Sequence, residues 1–134
     1  ELIASFENEK AILYHKWKHE YQFNDKQGIK LFGKTFEECK PFTNSYASVK
    51  KNNFWGMISE SGTQLLDFKY DKIENLNSGF IKIISNHKVG LCSNSGRWIF
   101  PVIAENIQYI ENGIFKIETQ NTIKYWHISG KWIW

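Results

Sequence analysis

Proline, methionine and cysteine are scarce in this chain of 134 residues, which holds two Pro, one Met and two Cys. So little cysteine gives no disulfide framework, and none is needed, because the length suffices to bury a core without disulfides or metal. Long apolar runs are also missing. The longest, Trp98 to Ala104, is interrupted by Pro101 and falls far short of the roughly 18 residues that carry a helix across a bilayer. Charge of one sign is not in excess either: 17 basic residues face 14 acidic ones, interspersed, for a formal net charge of +3. That balance argues against nucleic acid and against a membrane surface as partners, and the doublet Lys50-Lys51 reads as a solvated turn. Sustained helical periodicity with caps is absent, Leu2 to Lys10 being the one stretch too irregular to read. Aromatic side chains, by contrast, are plentiful, with six Trp, six Tyr and ten Phe making up 16% of the chain. Such side chains fit a pleated, half-buried surface and favour strands.

The glycines expose an internal repeat. Gly28, Gly62, Gly96 and Gly130 stand 34 residues apart, closing the polar clusters N-D-K-Q-G, S-E-S-G, S-N-S-G and H-I-S-G. Each cluster is followed by a short apolar strand: I-K-L-F, T-Q-L-L, R-W-I-F and K-W-I-W. A polar cluster closed by Gly between apolar runs is a hairpin signal, Gly taking the left-handed conformation that other residues resist. The register extends beyond the turns. Leu31, Leu65, Ile99 and Ile133 form one apolar column, with Phe32, Leu66, Phe100 and Trp134 beside it. Phe23, Met57, Leu91 and Tyr125 form a third, and Leu13, Ala47, Ile81 and Phe115 a fourth. The expected fold is therefore all-β, a single domain over 1–134 of four tandem three-stranded antiparallel meander units, 1–32, 33–66, 67–100 and 101–134. Units of this size bury a face only by stacking into one continuous β structure, as an open twisted array or with barrel- or propeller-like closure.

F-W-G-M-I-S-E-S-G from Phe54 to Gly62, followed by F-K-Y-D-K-I from Phe68 to Ile73, resembles the WG-repeat family of bacterial β-repeat proteins. The resemblance runs from about Ala11 onward. One unit keeps the Trp-Gly pair, at Trp55 and Gly56; the others read Tyr21-Gln22, Val89-Gly90 and Ile123-Lys124. It implies a non-catalytic repeat module, extracytoplasmic or part of a larger protein, with no family active site to transfer. The chain begins at Glu1 without a basic segment and apolar stretch ahead of a cleavage site, so a signal peptide is expected to be absent or already removed. Localisation stays open between cytoplasm and bacterial envelope.

One motif points elsewhere. G-I-K-L-F-G-K-T, Gly28 to Thr35, matches the nucleotide-binding pattern G-x-x-x-x-G-K-[ST]. That loop works when a strand ends in a glycine-rich turn and a helix begins at the Lys. Here the inner residues Ile29 to Phe32 are bulky and alternate like a strand, Glu37 and Glu38 would repel a triphosphate, and Gly28 is explained by the repeat. No nucleotide or other cofactor is expected.

His15 and His19, in H-K-W-K-H, would share one face of a strand, but two ligands make a weak metal site and a solvated strand is the better reading. Cys39 aligns with Ile73 and Ile107, and Cys92 with Ile58 and Trp126, so both are expected as buried thiols. An acid recurs at Glu37, Asp71 and Glu105, a position suited to ordering a turn or pairing with Lys rather than to acid–base catalysis. Trp98 and Trp132 align with Gln64 and Lys30, next to the apolar column of Leu31. Alternation then places Trp98 and Trp132 on the outer face, as platforms for a sugar or anchors for a protein, or as covers for a neighbouring strand. Trp55 and Trp126 read as core. The expected function is a non-enzymatic binding or scaffold module for a protein partner, with Trp98, Trp132, Lys30 and Gln64 as candidate contacts. Alternatives are a carbohydrate-binding domain using the exposed Trp, and a small inhibitor or immunity-type protein that blocks a partner enzyme.

Overall fold

A computed structural model describes residues 10–76 and 78–133; Leu2–Ala4 and the rest of the first nine residues, Asn77 and Trp134 lie outside it, and with them the irregular N-terminal stretch and the last member of the Phe32 column. Every regular element among the described residues is a strand. Two compact units divide the chain, Glu1–Lys69 and Tyr70–Trp134.

In the first, β1 (Ala11–His15) and β2 (Glu20–Asn24) form an antiparallel hairpin. A four-stranded sheet follows, formed by β3 (Glu38–Cys39), β4 (Tyr46–Lys51), β5 (Phe54–Ser59) and β6 (Gln64–Tyr70), paired in that order. In the second unit β7 (Lys72–Asn75), β8 (Phe80–Ser85), β9 (Lys88–Ser93) and β10 (Trp98–Ala104) form one meander sheet. Another holds β11 (Asn106–Glu111), β12 (Ile114–Thr119), β13 (Thr122–His127) and β14 (Lys131–Trp132). These sheets are open, each with two edge strands.

Three sheets hold four strands and the first hairpin two, in place of uniform units of three, and the strands after Gly62 and Gly96 do not stop after their first apolar pair. β10 runs on through Pro101. Proline lacks the N–H of a ladder donor and is tolerated at a sheet edge or bulge, and β10 is both an edge strand and irregular. Its register against β9 slips between Trp98 and Phe100, and again between Phe100 and Ala104. A bulge turns two successive side chains toward one face, so Ile99 and Phe100 are both buried where strict alternation would expose one of them.

The glycine bend is the same structure four times. Gly28, Gly62, Gly96 and Gly130 have φ of 83°, 86°, 85° and 92°. Each donates its N–H to the carbonyl three residues back, on Asp25, Ser59, Ser93 and His127, at 2.9 to 3.0 Å. The side chain at that residue completes the bend: Asp25 Oδ1 accepts from the Ile29 N–H at 2.9 Å, Ser59 Oγ from Thr63 at 3.1 Å and Ser93 Oγ from Arg97 at 3.2 Å. This is a three-residue hairpin loop with Gly at its left-handed position. A second bend recurs at Asn52-Asn53, Asn86-His87 and Gln120-Asn121, where both central residues have positive φ, the two-residue turn whose twist matches the flanking strands.

The first unit packs Ile12, Phe23, Phe36, Phe42, Val49 and Ile58 together, with the Phe23 and Phe42 rings edge-to-face at 4.9 Å. The second buries Leu91, Phe100, Ile107, Phe115 and Ile117. Two of the apolar columns are thereby accounted for: Ala47, Ile81 and Phe115 of one, and Phe23, Met57 and Leu91 of another, are buried.

Candidate functional site

A surface groove of about 520 Å³ opens on the second unit between the edge strand β10 and the end of the β12–β13 hairpin. Its apolar wall is Phe100, Val102 and Ile103 from β10, with Trp132 from β14. Thr119, Gln120, Thr122 and Lys124 line the hairpin side, and Lys88 reaches in from β9. Large apolar side chains remain in solvent here: Ile103 is 58% exposed and Trp132 46%.

The local sequence explains this opening. Gly90, in β9, lies under the bulge of β10; a Cβ there would stand 2.7 Å from Val102 Cγ2, 2.9 Å from the Val102 nitrogen and 3.0 Å from the Phe100 carbonyl oxygen. Gly56 in β5 meets the same crowding, 2.8 Å from Phe68 Cδ1 and 2.9 Å from the Leu66 oxygen. One repeat later the residue is Lys124, in β13, which pairs with β14 at Trp126 and His127 and accepts the Ile133 N–H at the Tyr125 carbonyl at 2.7 Å. The Lys124 ammonium lies 5.3 Å from the centre of the Trp132 ring. Trp132 also packs edge-to-face on Trp126 at 4.6 Å and Phe100 at 5.8 Å, while the Trp126 indole N–H donates to the Ile99 carbonyl at 3.2 Å.

Of the four candidate contacts, Trp132 alone lines the groove. Trp98 is 40% exposed, its ring 5.9 Å from that of Tyr70. Lys30 and Gln64 are exposed in the first unit, Lys30 bridging Asn24 and Gln64 donating to Asp67 Oδ1 at 2.9 Å. Trp55 and Trp126 are half-buried rather than core; Lys40 sits over the Trp55 ring at 5.2 Å.

The other motifs resolve into structure. Thr35 is followed not by a helix but by Phe36, which bridges to Tyr21. His15 ends β1, and His19 lies in the turn with φ of 54°, so the two do not share a strand face. His15 Nε2 bonds Gln22 Oε1 at 2.6 Å, and His19 Nδ1 bonds the Tyr14 hydroxyl at 3.0 Å. No group of three metal-binding side chains forms among the described residues. Burial pushes the Cys92 thiol up to about 12 and raises that of Cys39 still further, so neither is a thiolate at neutral pH. The recurring acids order turns. Glu37 Oε1 accepts the Asn53 N–H at 3.0 Å and Asp71 Oδ2 the Asn86 N–H at 2.9 Å, each spanning a hairpin, while Glu105 meets Lys88 at 3.5 Å.

A family model described as the WG containing repeat matches residues 25–53 and 55–86. The chain carries WG-containing repeats. Each matched WG segment ends at the turn residue whose N–H the repeat's acid holds, Asn53 in one and Asn86 in the other. The glycine of the Trp-Gly pair has its role in the close approach just described. The groove lies beyond the matched segments, so no WG-repeat property is carried to it. No curated protein matches the sequence.

Sequence reading missed the most exposed aromatic. Trp17, in the turn between β1 and β2, is 91% exposed. Its setting, Lys16-Trp17-Lys18 between two strands, was the available signal. Ile103 and Ile123 were missed for another reason, since their exposure depends on which strand lies beside them.

Proposed function

We propose that the chain is a non-enzymatic WG-repeat binding module that presents the groove around Trp132 to a protein partner. The observation that carries this reading is the run of uncovered apolar side chains, Trp132 and Ile103, beside Lys124 and the hydroxyls of Thr119 and Thr122 in one groove. Exposed apolar surface rimmed by polar groups marks interaction sites, and Trp is the residue most enriched among energetic anchors. The non-catalytic part is supported by how the reactive groups are occupied: Glu37 and Asp71 accept turn N–H groups, and burial keeps the thiols protonated. Trp98, Lys30 and Gln64 are secondary contacts in this reading.

The test is quantitative binding with a purified partner. A protein captured on the immobilised chain, then titrated calorimetrically, should lose at least about tenfold in affinity with Trp132→Ala and with Ile103→Asp, and be unaffected by Trp17→Ala. Equal affinity for all three variants would refute the groove as the interface.

A carbohydrate reading has one observation in its favour, the indole of Trp132 beside Thr119, Gln120 and Thr122. Lys124 over the ring competes with sugar stacking and makes protein the better fit. A flat tryptophan response across an oligosaccharide panel removes the carbohydrate reading.

A further inference from the structure

We propose that the loop between β1 and β2 is a membrane contact: Trp17 enters the headgroup region of an anionic bilayer while Lys16 and Lys18 meet its phosphates. The loop belongs to the first unit, and its role does not depend on the groove. It departs from its own repeat. At the corresponding hairpins the strands stay paired as far as Lys51↔Phe54, Ser85↔Lys88 and Thr119↔Thr122, leaving two residues in the turn. Here pairing stops at His15↔Glu20, and Lys16–His19 form a four-residue loop of the kind built on a type I turn. The Lys18 and His19 N–H groups both donate to the His15 carbonyl, at 3.2 and 2.9 Å, and His19 closes the loop with φ of 54°. Tyr14 braces it, its hydroxyl bonding His19 Nδ1 at 3.0 Å and its ring lying 4.7 Å from that of Tyr21. Trp17 aligns with Lys51, Ser85 and Thr119, all ladder residues, but the wider loop takes it out of the ladder and leaves it 91% exposed. Exposure at this place is a property of the repeat. The equivalent turns Asn52-Asn53, Asn86-His87 and Gln120-Asn121 are exposed although at least one repeat precedes each.

Chemistry selects the partner. Trp favours the headgroup level of a bilayer, and lysines beside it are drawn to anionic lipid. Lys16 and Lys18 are exposed and make no ion pair among the described residues. The adjoining carboxylate, Glu20, stands at the base of the loop opposite His15. Charge averaged over the chain argues against a membrane surface, but the average hides this loop, where Lys16–His19 include two lysines and no carboxylate. A protein interface surrounds its buried Trp with a ring of further contacts and is depleted in Lys; the loop has no second apolar side chain to contribute. Single-stranded nucleic acid lays successive bases on successive aromatics along a positive groove, and this loop offers one indole on a projecting turn.

The experiment mixes the full chain with vesicles of phosphatidylcholine and phosphatidylserine in equal parts, and with vesicles of phosphatidylcholine alone. Cosedimentation is expected with the anionic vesicles and not with the neutral ones. Raising the salt from about 0.1 M to about 1 M, which shortens the screening length to about 3 Å, should release the protein. Lys16→Ala and Lys18→Ala should each lower the partition coefficient about fivefold, and Trp17→Ala at least about tenfold, all with the parent's urea midpoint. Trp17→Phe keeps an aromatic ring and should still bind. Anionic vesicles brominated on the acyl chains just beneath the headgroups should therefore quench the parent's tryptophan emission and leave that of Trp17→Phe unchanged. Equal binding to both kinds of vesicle, no binding to either, or quenching that persists in Trp17→Phe overturns the proposal. A Trp17-dependent change in emission with oligothymidylate that vesicles do not produce also overturns it, and makes the loop a nucleic-acid contact.

Discussion

Gly90→Ala is the sharpest test of how the sheets are built. The added methyl would meet Val102 Cγ2 at 2.7 Å, the Val102 nitrogen at 2.9 Å and the Phe100 oxygen at 3.0 Å. The first of these is a side-chain end and can rotate away. The other two belong to the backbone of the bulge in β10 and yield only if the strand lifts. Overpacking of this kind costs about 1–3 kcal/mol, and an entropic gain of about 0.4–1 kcal/mol from restricting the unfolded chain opposes it. A net loss of about 1–2 kcal/mol is expected, read as a lower urea midpoint at unchanged slope. Gly79 is the control. Nothing lies within 4 Å of a Cβ there, but its φ is +85°, so Gly79→Ala should cost about 1–2 kcal/mol through backbone conformation alone. Asn tolerates that conformation, as Asn52 and Asn53 do at 53° and 70°, so Gly79→Asn should recover most of the loss. Gly90→Asn, a larger group in the same crowded space, should be worse than Gly90→Ala. A Gly90→Ala protein as stable as the parent would refute the close approach of β10 to β9.

Asp71→Asn should destabilise by about 1 kcal/mol, because the turn N–H of Asn86 loses a charged acceptor, and hydrogen exchange at Asn86 should quicken. The raised Cys92 thiol implies a stability that is constant below about pH 9 and falls as pH rises toward about 12, since the unfolded state then releases a proton that the folded state holds. Cys92→Ala should flatten that part of the decline, by up to about 1.4 kcal/mol per pH unit, when chemical denaturation is compared at pH 8 and about pH 10. Trp17→Phe should leave the urea midpoint within about 0.5 kcal/mol of the parent, as for an exposed side chain without special contacts, and remove the emission most accessible to iodide quenching.

The repeat was legible because its bend is chemically self-sufficient. Asp25, Ser59, Ser93 and His127 and the glycine three residues on close it with bonds internal to the bend, so spacing alone revealed all four. Strand composition was equally plain. The four-stranded sheets were not legible, since the units were closed two columns after each glycine bend, whereas β10 runs on from Trp98 to Ala104 through a slip that turns both Ile99 and Phe100 inward. The groove was partly legible. Trp132 was singled out from its column, but Ile103, Thr119 and Lys88 meet it only because β10 and the β12–β13 hairpin lie side by side, which no local pattern encodes. His15 and His19 misled because strand spacing was assumed across a turn where His19 is left-handed.

Four nearly interchangeable bends also bear on how the polypeptide reaches its native state. Each closes with hydrogen bonds of its own, and the same geometry returns from one repeat to the next. Contacts that close locally favour rapid folding, but near-identical modules in tandem are prone to exchange partners during refolding. Renaturation at high concentration is therefore expected to yield intertwined dimers, and slow dilution monomers.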